Sequence, residues 1–118
     1  MQDIAIAQEI ARVLDDHKAL NIVALDVSEM TVVTDYMIIA SGRTANQVKA
    51  LSDYIDEKMR ENGLVFNKLE GYSEGRWIIM DYGHTLVELF HTEERAFYNL
   101  DRLWDEGTNR LELPFEQE

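Results

Sequence analysis

The segment from Arg76 to His91, RWIIMDYGHTLVELFH, constrains the fold of this chain more than any other. Two runs rich in apolar and β-branched residues flank Gly83-His84, a pair with the Gly-X form of a type II′ hairpin turn. If those two residues make the turn, Trp77 faces Phe90, Ile79 faces Glu88 and Asp81 faces Leu86. Side chains alternate along a strand, so these six share one side of the sheet. Ile78 with Leu89, Met80 with Val87 and Tyr82 with Thr85 share the other. That second set is apolar apart from one phenol and one hydroxyl, and suits a core. The first set is mixed. It holds aromatic and aliphatic side chains, and also two carboxylates that resist burial without partners. Two readings follow. If this side is open to solvent, it displays an apolar patch edged by acid, with a tryptophan of the kind that anchors interfaces. If the register slips by one residue, every side chain reverses, and Trp77 and Phe90 are core.

The rest of the chain supplies more strands and the helices to cover them. Ile6, Ile10, Val13 and Leu14 follow a helical period after a candidate N-cap, Asp3, which predicts a helix running to about Lys18. Asn21 to Val27 and Asp35 to Gly42 read as strands, joined by SEMTVVT. Thr44 and Gln47 form a capping box at the start of a second helix. Val48, Leu51, Ile55 and Met59 make its apolar stripe, and Gly63 stops it. Leu64 to Gly71 is a weaker third strand. The strand, helix, strand order from Asp35 to Glu70 suggests a right-handed parallel crossover. After the hairpin, Thr92 is the expected cap of a last helix, with Glu93 and Glu94 well placed against its dipole. Phe97, Leu100, Leu103 and Trp104 give that helix an apolar side. The expected fold is α/β: a single mixed β-sheet flanked by helices. One domain is expected over 1–107, followed by a C-terminal tail or docking arm over 108–118.

Charge narrows the function classes. The 118 residues carry 23 acidic and 11 basic side chains, a net charge of −12. Gripping nucleic acid requires phosphates to be neutralised by lysine and arginine, so general DNA or RNA binding is disfavoured. A basic protein surface is the natural partner, because opposite fields steer encounter. No cysteine is present, which excludes disulfides and thiolate metal sites. No apolar run is long enough to span a bilayer, and the acidic MQDIAIAQEI lacks the basic flank of a signal peptide. A soluble, cytoplasmic protein without a membrane partner is expected, as a monomer or weak homodimer.

Motifs for chemistry are weak. Asp81, His84, Glu88 and His91 have the residue types of a metal site. Strand alternation, however, sends His91 away from the side that Asp81 and Glu88 share, His84 sits in the turn, and no HExxH occurs. Ser41 lies in ASGRT, not in a GxSxG elbow, and Gly42 there suits a strand-to-helix turn. No GxGxxG or GxxxxGK[ST] is present. Neither a metal nor a cofactor is expected, and the chain is not read as an enzyme. The rival class is a nucleotidyltransferase-like, metal-dependent activity using Asp26, Asp35 and Asp81.

DYMIIASGRTANQVKALSDYI, the EG at Glu70 and Gly71, WIIMDYGHTLVELF and RAFYNLDRLW occur in this order and spacing. Together they resemble the ribosomal silencing factor family, also called Iojap-like proteins, over about Ile6 to Asp105. Thr108 to Glu118 falls outside that resemblance. The resemblance implies a fold similar to nucleotidyltransferases, but the catalytic Gly-Ser turn followed by two strand carboxylates is missing. It implies binding to the large ribosomal subunit through its protein number fourteen (uL14), on the face that meets the small subunit. It also implies a block on subunit joining that lowers translation when nutrients are short, and an association with late maturation of the large subunit. An assembly chaperone that leaves before the subunits meet is the alternative within that class. Trp77, Ile79, Asp81, Leu86, Glu88 and Phe90 are the expected partner-binding residues. The aromatics would exclude water and the carboxylates would meet lysine or arginine.

Overall fold

A computed structural model describes residues 3–113 and 115. Positions 1–2, 114 and 116–118 lie outside the described residues, and with them the very N-terminus and part of the expected tail. The elements are α1 (Asp3–Asp16), β1 (Leu20–Asp26), β2 (Tyr36–Gly42), α2 (Ala45–Glu61), β3 (Lys68–Glu70), β4 (Trp77–Asp81), β5 (Thr85–His91), α3 (Thr92–Tyr98) and α4 (Asp101–Trp104). The five strands form one sheet in the order β1-β2-β5-β4-β3. β2 and β5 are parallel, and the other three pairings are antiparallel. The fold is therefore the expected α/β type with a single mixed sheet.

The hairpin register agrees with the reading of the turn. Trp77 pairs with Phe90, Ile79 with Glu88 and Asp81 with Leu86. Gly83 has φ +90, the positive value that the first position of a type II′ turn needs. The Asp81 carboxylate accepts the Gly83 N–H at 2.7 Å and steadies the bend.

The crossover differs from the simplest expectation. β3 runs parallel to β2, as the order of strand, helix and strand suggested, but β5 and β4 lie between them. The seven-residue strand β5 takes the place beside β2 and pairs with it along its whole length. β3 offers only three residues and is left at the edge.

One face of the sheet is covered by two long helices. Ile22, Ala24, Ile38, Ala40, Ile78, Met80, Val87 and Leu89 meet the stripes of α1 and α2 there. Ala7 and Ala11 of α1 are small enough to let the helix lie close to the strands. The start of α2 is capped as expected. Thr44 Oγ1 accepts the Gln47 N–H at 3.0 Å, while the Gln47 side chain reaches back to the Arg43 N–H at 2.7 Å, one residue earlier than a standard box. Its end is a Schellman turn: Gly63 at φ +78 donates to Arg60 O, and Leu64 donates to Met59 O.

On the other face Leu25, Val27, Met37, Ile39 and Phe90 make a smaller cluster, roofed by Leu100 and Trp104. The last helix is broken here. His91, not Thr92, is the N-cap, its Nδ1 accepting the Glu93 N–H at 3.1 Å. Asn99 adopts the left-handed conformation at φ 48 and ends α3. The chain restarts as the four-residue α4, so the four expected stripe residues no longer share a side. Leu100 and Trp104 pack inward, while Phe97 and Leu103 point to solvent. Beyond α4 the chain returns to the sheet. The Asp26 N–H donates to Asn109 O and the Leu111 N–H to Ala24 O, so this segment lies along the free edge of β1.

Gly71, the glycine of the EG pair, sits at φ +78 where a Cβ would stand 1.9 Å from Trp77 O. Only glycine lets the β3–β4 connection pass that close to the start of β4. This contact sets where Trp77 enters the sheet.

Candidate functional site

The six hairpin residues do share one face, but they are not equally open. Phe90 is 1% exposed and Glu88 4% exposed. Trp77, Ile79, Asp81 and Leu86 are half-buried. The expectation of a face left uncovered by helices is corrected for two of the six: α3 and α4 roof the end that holds Phe90 and Glu88. The indole of Trp77 is not enclosed. It stacks on Phe90 with centroids 5.0 Å apart and meets Tyr98 of α3 at 4.8 Å. Tyr98 in turn meets Phe97 edge-on at 5.0 Å. The result is a row of four rings running from the buried sheet to the surface, the kind of rigid apolar contact that interfaces use.

Among the described residues, the polar partner of Glu88 is the Trp77 indole N–H, which donates to Oε1 at 3.3 Å. Burial pushes its carboxyl above the ordinary range, the indole bond opposes that, and the charge of Asp101 adds to the rise. Glu88 is thus a group whose charge is resisted by its surroundings, aligned with the ring of Trp77. Asp81 is engaged by the turn, as described above. Of the two carboxylates expected to reach a partner, Glu88 is covered and Asp81 is partly so.

Polar clamps hold the roof. Arg95, on α3, bonds Asp101 through two nitrogens at 3.1 and 2.8 Å, Ser41 Oγ at 3.0 Å and Leu20 O at 3.4 Å. Arg76 binds Glu94 through Nε at 2.9 and 2.7 Å and Glu93 at 3.0 Å. These contacts hold the Arg76 guanidinium above, and the Glu94 carboxyl below, their usual values. α3 and α4 bury none of their own residues completely, so side-chain clamps supplement the partly buried Trp104 in place of an apolar stripe.

Sequence reasoning missed three exposed features. Phe97 is 81% and Leu103 67% exposed, where a continuous helix was expected to pack them. Tyr98 completes the ring row. The signal that could have found them is Asn99, since asparagine visits the left-handed region more readily than most residues and so can end a helix. Val32 and Val33, in the connection before β2, are also exposed.

The carboxylates of the rival enzyme reading are not gathered. Asp26 Oδ1 accepts from Ser28 N and Oγ at 3.0 and 2.6 Å, which holds its pKa down. Asp35 lies against His84, and Asp81 caps the turn on β4. Among the described residues, the groups that could hold a metal are Asp3, Asp35 and His84, and separately His91, Glu93 and Glu94. Neither contains Asp26 or Asp81.

The family model described as "Ribosomal silencing factor during starvation" matches residues 1–118, the C-terminal segment included. The chain is similar to a Bacillus subtilis protein named ribosomal silencing factor RsfS, 38% identical over 107 residues that cover 91% of each chain. It is also similar to the chloroplastic protein Iojap of Arabidopsis thaliana, 30% identical over 118 residues, 99% of this chain and 48% of that one. A crystal structure of a Chromobacterium violaceum protein superposes with a TM-score of 0.86 at 29% identity, covering 98% of this chain and 95% of the other.

Proposed function

This chain belongs to the ribosomal silencing factor family, and on that premise we propose that it binds the large ribosomal subunit and blocks the small subunit from joining it. The partner in this reading is a basic protein of that subunit, its protein number fourteen, and the outcome is lower translation when nutrients are short, in the cytoplasm. The mechanism is steric and catalyses nothing.

The observation that carries the reading is the half-buried Trp77, held between Phe90 and Tyr98 on the sheet face that the long helices leave alone. A rigid aromatic with one side to solvent gains affinity by burial with little loss of conformational freedom. Trp77, Ile79, Asp81 and Leu86 make direct contact. Phe90 and Glu88 act from beneath, by fixing the plane and the N–H direction of the indole. The net charge of −12 favours encounter with a basic partner and opposes the phosphate-rich small subunit on the free side.

Sedimentation through a sucrose gradient tests this. The protein is expected to comigrate with free large subunits and to be absent from joined ribosomes. Migration at the top of the gradient, or with joined ribosomes, would sink the reading. Binding to mature large subunits separates a joining block from an assembly chaperone, which would leave before that stage. Added salt is expected to weaken binding mainly by slowing association.

A further inference from the structure

We propose that Asp3, Asp35 and His84 form a binding site for one divalent transition-metal ion of the zinc class. The site lies at the turn end of the hairpin, the opposite end from the Trp77–Phe90 pair, and does not depend on the ribosomal reading.

Three separate segments bring the donors together. Asp3 opens α1, Asp35 precedes β2, and His84 lies in the β4–β5 turn. The parallel register pairs Tyr36 with Thr85, which sets Asp35 beside His84. The His84 carbonyl accepts both the Asp35 and the Tyr36 N–H, at 3.0 and 2.9 Å, so the backbone of the turn is tied to the start of β2. His84 Nδ1 then lies 2.8 Å from Asp35 Oδ2 and 3.7 Å from Asp3 Oδ2. One donor atom from each residue falls within 4.8 Å of the others.

Those separations suit an ion. Metal–ligand bonds of about 2.0–2.1 Å in a tetrahedral site place neighbouring donors roughly 3.3 Å apart, between the two distances seen here. An imidazole nitrogen with two carboxylates favours zinc, cobalt or nickel over magnesium or calcium, which prefer oxygen alone. Three protein ligands leave a fourth position for water.

The surroundings separate this cluster from the protein's other acidic groups. Among the described residues, the only ion-pair partner of Asp3 and of Asp35 is His84 itself; no lysine or arginine neutralises them. The His91, Glu93 and Glu94 group differs on both counts. There the His91 Nδ1 already accepts a backbone N–H, and Arg76 occupies both carboxylates. A bound ion at His84 would tie the first turn of α1 to the hairpin and add stability by mass action.

The test uses the full chain, stripped with chelator and titrated with Zn2+ alone by calorimetry, with thermal melting in parallel. One ion per chain is expected, with a micromolar dissociation constant, a raised melting temperature and a zinc-dependent shift of the His84 ring nitrogens by NMR. His84→Gln and Asp35→Asn should each weaken binding by about tenfold or more. His91→Gln should leave it unchanged. Circular dichroism checks that the variants fold, and Asp3→Asn, at an exposed helix end, provides a milder third variant with the same direction. The proposal is overturned by no binding below about 1 mM. It is equally overturned if zinc binds alike in the wild type, His84→Gln and Asp35→Asn.

Discussion

The two faces of the sheet are covered in different ways. On one, α1 and α2, of 14 and 17 residues, each lay an unbroken apolar stripe on the strands. On the other, α3 and α4 have seven and four residues, bury none of their own side chains completely, and are held by Arg95 and Arg76. A stripe that continues for several turns buries enough surface to fix a helix by itself. One interrupted after two turns does not, and specific polar bonds must hold the segment. The lesson is that the first face stabilises the fold, while the second spends its rings and acids on a surface.

That contrast can be broken by mutation. On the helix face, Ile55→Ala removes a fully buried side chain and should cost about 2–5 kcal/mol in denaturant unfolding. A loss below 1 kcal/mol would mean that the stripe is not the main support. On the roofed face, Trp77→Ala should reduce large-subunit binding by about 30-fold or more, some 2 kcal/mol, while the far-UV spectrum stays native. Unchanged binding would take Trp77 out of the contact set. Arg95→Ala strips partners from Asp101 and Ser41, and should cost about 1–3 kcal/mol with faster amide exchange confined to α3 and α4. Exchange that speeds up evenly over the whole sheet would contradict a clamp local to the roof.

Smaller effects sharpen the comparison. Because burial raises the folded-state pKa of Glu88, the native protein keeps a proton that the unfolded chain releases near the ordinary glutamate value. Its contribution to stability is therefore most favourable below that value and is lost as pH rises through the folded pKa. Glu88→Gln retains an acceptor for the indole N–H and cannot ionise. It should flatten this decline and raise the melting temperature at neutral pH by about 2–5 °C; an equal or lower melting temperature would count against the burial argument. Phe97→Ser, on the outer side of the roof, should change stability by no more than about 0.5 kcal/mol. If it also weakens subunit binding, the contact surface extends from the hairpin onto α3.

Much of this was legible from residue order because it depends on neighbours close in sequence. The alternation around Gly83 settled which hairpin residues oppose each other. Thr44, Gln47 and Gly63 marked the ends of α2 through hydrogen bonds that span three to five residues. Even the two faces of the hairpin could be written down in advance. Strand pairing at a distance could not. That β5, and not β3, lies beside β2 depends on how much backbone each can offer, which no local pattern encodes.

The sequence by itself determined the two long helices, four of the strands, the hairpin register and the negative charge, since each follows from side-chain period, capping or composition. Only the tertiary structure decided which hairpin residues reach solvent. A left-handed turn at Asn99 and the reach of Arg95 to Ser41 and Leu20 bring the roof over Phe90 and Glu88, and leave Trp77 and Phe97 at the edge. Exposure is a property of what the rest of the chain lays on top, and contacts across 54 and 75 residues have no signature in any short window of sequence.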